Sequence, residues 1–342
     1  MKTVCIKDIA KKSGVSITAV SLILNNKATS IPEETIQRVK KVARESGYRP
    51  NAIASSLKTK RTKTIGYVMP SIENSFFSEI AKKVEKIVEP SGYSIIICSS
   101  DDKFEKDYNL IQMLTSRMID FLLYCPSSET LKSENLHKII TLLHSIDTPY
   151  VVVDRQIKGD IKSKVVCDDH QGGMLATQHL IENGHKKIAC ITGPLEMSSA
   201  NNRYLGYEDS LKENNIPFVK DYVFYGNFDF ESGYKQAKEA LKTDVTAMFV
   251  CNDLMAYGAL KAIKESGKKV PQDISIVGYD DLMFSELLDT PLTTIHQDID
   301  AIADCIGKYI ISVLEEKNTE ITIKAVPSYL VKRSTVARRE EK

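Results

Sequence analysis

Several short apolar runs in this chain end in polar residues, and those residues are the ones whose chemistry it could use. Asn74, Phe76 and Phe77 follow the run Ile65 to Met69, and Asp154-Arg155 follows Tyr150 to Val153. Later come Asp168-Asp169, the loop Gly193 to Arg203, Asn252-Asp253, Tyr279-Asp280-Asp281 and Gln297. Carboxylates, guanidiniums and amides can each make two hydrogen bonds at once, and a few aromatic rings stand among them. Paired hydrogen bonds suit vicinal hydroxyls, and flat rings suit the C–H faces of a sugar, so the set points to a polyol-binding site. Each residue also has a plain structural use: an Asp after a strand caps a helix, and Phe76 or Phe77 can be core.

Catalytic and metal readings do not assemble. Asp168, Asp169 and His170 have no further matched ligands, and they fit a helix cap better than a metal site. No Ser-His-Asp or Cys-His spacing stands out, and Cys190 and Cys251 lie in apolar runs where a thiol is a poor nucleophile. No G-x-G-x-x-G follows a strand, which argues against a dinucleotide cofactor. The expectation is a binding protein, not an enzyme, with no cofactor and no metal. His137, His144, His179 and His185 sit in or beside amphipathic patterns and are expected at the surface.

The elements that must position these residues alternate. Strand-like runs occur at Ile65 to Met69, Ile95 to Cys98, Phe121 to Tyr124, Tyr150 to Val153, after Val165, and at Ile188 to Ile191, Ala247 to Val250 and Ile274 to Val277. Helical patterns lie between them at Phe76 to Val88, Gly172 to Glu182, Tyr204 to Glu213 and Leu254 to Glu265. Such alternation predicts an α/β body of parallel sheets flanked by helices, and eight or more strands suggest two sheets in two lobes. In open parallel sheets, ligands bind beyond the carboxyl ends of the strands, where the polar residues stand.

Charge separates a head from this body. Residues 1–64 hold ten Lys and four Arg against one Asp and three Glu, a net of +10 in a chain whose total is +1. A basic head on an acidic body suggests a polyanion-binding module, a solvated basic tail being the plainer alternative. The head is patterned as three helices. Ile6, Ile9 and Ala10 have helical spacing up to Ser13-Gly14; Ser16 caps a second helix from Ile17 to about Asn25, with Ala19, Val20, Ile23 and Leu24 on its apolar face. A third runs from about Pro32 to Glu45, burying Ile36, Val39 and Val42 and stopping at Gly47. Two short helices across a Gly-containing turn, with a third packed on them, form a helix-turn-helix that sets its second helix in the major groove. Ile17, Thr18, Ser21, Leu22 and Asn25, with Ser16 at the cap, are then the residues nearest the bases.

The motifs Asp8-Ile9-Ala10, Gly14-Val15-Ser16, Ala19-Val20-Ser21 and Leu24-Asn25-Asn26 resemble the headpiece of the lac repressor family. The stretch Gly47 to Leu57 resembles that family's hinge, which forms a short helix on the operator and wedges a leucine into the minor groove. The match makes that leucine Leu57, with Asn51 and Ala54 in the same DNA-facing segment. A short Ala/Ser-rich segment opened by Pro50 agrees, being too brief to form a stable helix alone. An apolar wedge there would unstack a base step and kink the duplex. Leu57 packing on the body is the alternative. Two positions depart from the family. Leu22 stands where many relatives carry a guanine-reading arginine, so readout should lean on Thr18, Ser21, shape and hinge. Pro32 stands where relatives place a Ser or Thr cap.

The resemblance extends through the body, which is similar to ribose-type periplasmic sugar-binding proteins. Their cleft pattern appears in order here as Asn74-Ser75-Phe76-Phe77, Asp154-Arg155, Arg203, Phe228, Asn252-Asp253, Gly278-Tyr279-Asp280 and Gln297. It implies effector contacts from Asn74, Phe76, Phe77, Asp154, Arg155, Arg203, Phe228, Asn252, Asp280 and Gln297. Met197 falls where purine-binding relatives carry an arginine, which disfavours a purine effector. The implied organisation is a helix-turn-helix domain at 1–50, a hinge at 51–63 and a core at 64–342. One lobe is expected at 64–161 and 296–322, the other at 162–295 and 323–342.

The implied protein is a repressor, binding a pseudo-palindromic operator as a homodimer and tuned by a sugar or sugar derivative. Control by a protein co-effector and a periplasmic receptor are the alternatives; the receptor reading conflicts with the basic head and the lack of a signal-like N-terminal stretch. Apolar stripes on Phe76 to Val88 and on Leu254 to Ile263 are candidate dimer faces, unless they cover their own sheets. The tail after Leu330 is polar and lacks tetramerising leucine heptads. Scattered cysteines, no secretory signal and no membrane-length apolar run predict a cytoplasmic, non-membrane protein.

Overall fold

The computed structural model describes residues 4–24, 30–48, 61–159, 161, 163–316 and 323–339. It divides into two compact units, residues 1–62 and 63–342.

The small unit has helices α1 (Ile6–Ser13), α2 (Ile17–Leu24) and α3 (Glu33–Glu45). Asp8 accepts from the Cys5 backbone N–H at the start of α1, and Gly14 ends it in the left-handed region at φ 68°, which a residue without Cβ adopts at no steric cost. The Ser16 hydroxyl accepts from the Ala19 N–H at 3.1 Å and caps α2 as its sequence position suggests. Pro32 starts α3 without a side-chain cap. Ile9, Ala10, Val20, Ile23, Val39 and Ala43 form the core, with Ile36 and Val42 packed half-buried at its edge. Ala43, missing from the expected face, takes the central place expected of Val42.

The large unit contains two six-stranded sheets. The first joins β1 (Thr64–Met69), β2 (Ser94–Ser99), β3 (Phe121–Tyr124), β4 (Tyr150–Val153), β5 (Lys164–Cys167) and β11 (Ile323–Val326) in the order β11-β5-β4-β3-β1-β2, all parallel. Around it lie α4 (Ser75–Val88), α5 (Phe104–Ser116), α6 (Ser133–Ser145) and α12 (Ile299–Ile311). The second joins β6 (Ile188–Thr192), β7 (Val223–Tyr225), β8 (Ala247–Val250), β9 (Ser275–Asp280), β10 (Thr293–Gln297) and β12 (Ser328–Val331), with α7 (Asp169–Glu182), α8 (Ser198–Glu213), α9 (Phe230–Ala240), α10 (Asp253–Glu265) and the short α11 (Met283–Leu287). Here β12 pairs antiparallel with β10, a departure from the all-parallel expectation.

The sheets move the expected lobe boundaries. β5 and β11, expected in the second lobe, pair with each other in the first sheet, and residues 296 and 297 belong to a second-lobe strand. The chain therefore crosses between lobes three times, near Asp168, Asp298 and Pro327. Asp168 and Asp298 cap the helices that open after their crossings, accepting from the Gln171 and Ala301 N–H groups. Three strands of chain joining two cores form a hinge about which the lobes can change orientation.

The apolar face of α4, Phe76, Phe77, Ile80, Ala81, Val84 and Val88, is buried in its own lobe core, so it is not a dimer stripe. α10 likewise buries Met255, Ala256, Ala259, Ala262 and Ile263, leaving Leu254, Tyr257 and Leu260 half-buried along its other edge. His137 and His144 are exposed as expected, but His179 and His185 are buried. The His185 ring bonds Thr246 Oγ1 and the Ala337 carbonyl, which ties the C-terminal segment to the second lobe. That segment is polar because it docks: Thr335 is fully buried and bonds the Ile276 carbonyl.

Candidate functional site

The carboxyl ends of the two sheets meet across a cleft, and the turns there hold side chains in fixed directions. Asp154, straight after β4, has φ 65°, Phe228 has φ 63°, and Asp280 at the end of β9 has φ 108°. Non-glycine residues in this region carry strain, and its clustering on cleft residues marks a functional constraint. Asn74 and Asn252 each combine two tasks: their side chains cap α4 and α10 by accepting from Phe76 N–H and Met255 N–H, and both stand at the cleft wall.

All ten residues expected to contact an effector line one chamber: Asn74, Phe76, Phe77, Asp154 and Arg155 from the first lobe, with Arg203, Phe228, Asn252, Asp280 and Gln297 from the second. The chamber is small in this form, about 20 Å³, room for about one water. It adjoins an outer pocket of about 790 Å³ with which it shares Asn74, Phe77, Arg155 and Phe228.

The two guanidiniums are held rigidly. Arg155 donates through one terminal nitrogen to Asp102 at 2.7 Å and to the Pro126 carbonyl at 3.1 Å, and its guanidinium lies 5.7 Å from the Phe77 ring centre. Arg203 donates from Nε to Asp169 at 2.8 Å and from a terminal nitrogen to the Cys251 carbonyl at 2.7 Å. Its guanidinium stacks 3.7 Å from the Tyr279 ring centre and lies 3.6 Å from the Asp280 carboxylate. Gln297 donates to Asp280 at 2.6 Å. Burial pushes the Asp169 carboxyl up to about 6 against the pull of Arg203, and pushes Asp280 well above its ordinary range. Asp154 is raised too, by burial opposed by Arg203 and Arg155. These are receptor groups: directional hydrogen bonds, aromatic faces, and no nucleophile paired with a base.

The α7–α8 pair fixes Arg203. Gly173 and Gly206 let the two helices touch backbone to backbone: a Cβ on Gly173 would sit 2.2 Å from the Arg203 carbonyl oxygen, and one on Gly206 2.2 Å from that of His170.

Two domain families match the sequence: bacterial regulatory proteins of the lacI family over residues 5–51, and a periplasmic binding protein-like domain over residues 177–336. The transcriptional repressor PurR of Histophilus somni (strain 129Pt) is 38% identical over 333 residues, 97% of this chain and 98% of that protein. This chain belongs to the lacI family. The lac repressor dimer bound to operator and the anti-inducer ONPF has the same fold, with a TM-score of 0.85 and 28% identity over 98% of this chain and all of that one. A lacI-family regulator from Enterococcus faecium with bound ribose superposes with a TM-score of 0.70 and 27% identity, covering 81% of this chain and all of that one. The protein is thus a DNA-binding transcriptional repressor with a small-molecule effector domain, and not an enzyme.

In this lacI-family repressor the face of α2 opposite its core is available to DNA. Ser16, Ile17, Thr18 and Leu22 are exposed, Ser21 is half-buried, and Ile17 and Leu22 keep 43% and 39% of their surface. Asn25, Asn51, Ala54 and Leu57 lie outside the described residues.

Two residues of the cleft and one behind it were not singled out from the sequence as parts of the site. Ser199 lines the chamber one helical turn before Arg203 on α8, a spacing that could have found it. Asp102, the partner of Arg155, lies three residues beyond β2, and reading every strand end would have included it. Asp169, expected with Asp168 among the polar strand ends or as a helix cap, does not cap: Asp168 caps α7, while Asp169 turns inward to Arg203. Met197 is buried in the first lobe's apolar cluster beside Ala200 and does not line the chamber. Among the described residues no group of acidic, His or Cys side chains could hold a metal ion, and no helix is long and apolar enough to cross a membrane.

Proposed function

We propose that a small sugar or sugar derivative, bound between the lobes, sets the affinity of this repressor for its operator. The observation that carries the reading is the chamber itself: ten residues scattered from 74 to 297 converge on one cleft, with rings, amides and charged pairs suited to a polyol. The bound ribose in the Enterococcus faecium relative adds support. The ligand acts through its differential affinity for two lobe orientations, since only that difference can shift the equilibrium. The three crossings transmit the orientation to the chain that leads to the hinge, Asn51, Ala54 and Leu57. The head reads DNA with Ser16, Ile17, Thr18, Ser21, Leu22 and Asn25.

A homodimer on a pseudo-palindromic operator fits this geometry. The outermost strand of the first sheet, β2, has one free edge and exposes Ile96 and Ile97; in the second lobe α11 exposes Met283, Phe284 and Leu287. An exposed apolar edge strand and an apolar helix face are surfaces that a soluble chain covers with a partner.

The experiment is calorimetry of the full chain against pentoses, hexoses, their phosphates, sugar acids and purine bases, repeated with Asn74→Ala and Phe228→Ala. A sugar that binds the parent chain, and binds both variants at least about tenfold more weakly, supports the reading. Silence across the sugars, or saturation by a purine base alone, overturns it.

A further inference from the structure

The charged and polar groups of the cleft are unevenly supplied. Arg155 is matched by Asp102, at the outer pocket, and Arg203 by the buried Asp169, so each guanidinium already has a carboxylate partner. Asp154 and Asp280 then face the same space as further carboxylates. Two of the three amides also spend a donor within the wall: Asn252 donates to the Phe228 carbonyl at 3.0 Å and Gln297 to Asp280. Acceptors are left over. Gln297 lines the chamber, and its buried Oε1 has no hydrogen-bond partner among the described residues. Asp154, also buried, has Arg155 Nε no nearer than 3.9 Å.

The mouth repeats the imbalance. The outer pocket is lined by six carboxylates against the cations Lys103, Lys132 and Arg155. Lys103 is taken by Glu129, and Arg155 by Asp102. Glu73 from the first lobe, and Glu196 and Asp229 from the second, are exposed at that mouth and make no ion pair among the described residues. An anion approaching the chamber meets like charge on both walls and then a set of acceptors that it cannot satisfy.

We infer that the effector is a neutral, hydroxyl-rich ligand presenting hydrogen-bond donors to Asp154, Asp280 and Gln297 Oε1, and that phosphorylated or carboxylated sugars are excluded. The inference rests on the sugar-effector reading and narrows it. Hydroxyl protons satisfy the orphan oxygen and the two carboxylates, while ring oxygens and the remaining guanidinium N–H groups pair with each other. A phosphate or carboxylate would bring an extra charge into a desolvated site where every cation is already balanced, and juxtaposed like charges cost several kcal/mol.

The test is isothermal calorimetry on the full chain with matched sets: D-ribose, D-ribose 5-phosphate and D-ribonate, then D-glucose, glucose 6-phosphate and gluconate. In whichever set binds, the neutral sugar is expected to bind at least about a hundredfold more tightly than either anion, the factor a few kcal/mol gives. In Glu73→Gln/Glu196→Gln the ratio of neutral to anionic affinity should fall severalfold, more so at low salt. An anion that binds as tightly as its neutral parent overturns this inference and leaves the sugar reading standing. No binding by any of the six, with silence across the other pentoses and hexoses as well, overturns both.

Discussion

Removing the charge of Arg203 while keeping its bulk tests the electrostatics of the cleft most severely. In Arg203→Met the Asp169 and Asp280 carboxylates stay buried and lose the guanidinium that lies 2.8 Å and 3.6 Å away. Breaking a buried ion pair by removing one partner typically costs about 3–5 kcal/mol, because a charge is left uncompensated. At roughly 2–4 °C of melting temperature per kcal/mol for a body of this size, the shift is easily read by thermal or urea unfolding at pH 7.5. The cost should depend on pH. Asp169 titrates near 6 even with Arg203 present, and near still higher pH without it, so at pH 5 the variant can neutralise the stranded carboxyl by protonation. The loss at pH 5 should shrink to about 1–2 kcal/mol, the hydrogen bonds to Asp169 and the Cys251 carbonyl being what is left. Adding Asp169→Asn to Arg203→Met should recover at least half of the loss at pH 7.5, because the two residues form one coupled unit. A loss that is the same at both pH values and is not relieved by Asp169→Asn would refute the charge-balance account and leave packing against Tyr279 as the role of Arg203.

Gly206→Val should destabilise the chain by about 1–3 kcal/mol in urea unfolding, since its first carbon would meet the His170 carbonyl oxygen and push α7 from α8. Burial pushes the Asp253 carboxyl up to about 6 although it accepts from the Leu282 N–H, Ser285 and Thr294. The folded chain therefore keeps a proton that the unfolded chain releases between about pH 4 and 6, so stability falls as pH rises through that window, by up to about 3 kcal/mol from this group; Asp253→Asn should flatten that part of the pH–stability curve. Ile97→Lys on the free edge of β2 should shift sedimentation equilibrium toward monomer without lowering the melting temperature of dilute protein. Thr18→Ala should cost about 1–3 kcal/mol of operator affinity and relax preference at one base position, while leaving the salt slope of binding unchanged.

Much of the fold and of the cleft is legible in the sequence. The head's helices follow from local chemistry: Ser16 caps, Gly14 terminates, and apolar residues recur at helical spacing. The cleft was legible because parallel sheets expose their carboxyl ends, so polar residues after apolar runs converge on one place. Phe228 had no such signal and came only through the family resemblance; its φ of 63° and its carbonyl bond to Asn252 are tertiary facts. The lobe boundaries failed for a related reason. β5 and β11 are four residues each, and nothing local in so short a segment says which sheet it joins. His179 and His185 were misplaced because the segment that covers His185 arrives from residue 337, far along the chain. The charge balance of the cleft was likewise hidden, since Asp102 and Asp169 find their arginines 53 and 34 residues away.

The measurement that bears most directly on the central claim is operator binding in the presence of sugar. A duplex selected from random sequence by the full chain would be followed by fluorescence anisotropy at fixed salt, with and without each neutral sugar at saturating concentration. The account predicts that one of them changes the Kd by at least about tenfold, and that Phe228→Ala abolishes the change while binding the duplex like the parent. Superimposable isotherms with a sugar that calorimetry shows to be bound would contradict it, because the cleft would then be occupied without any coupling to DNA.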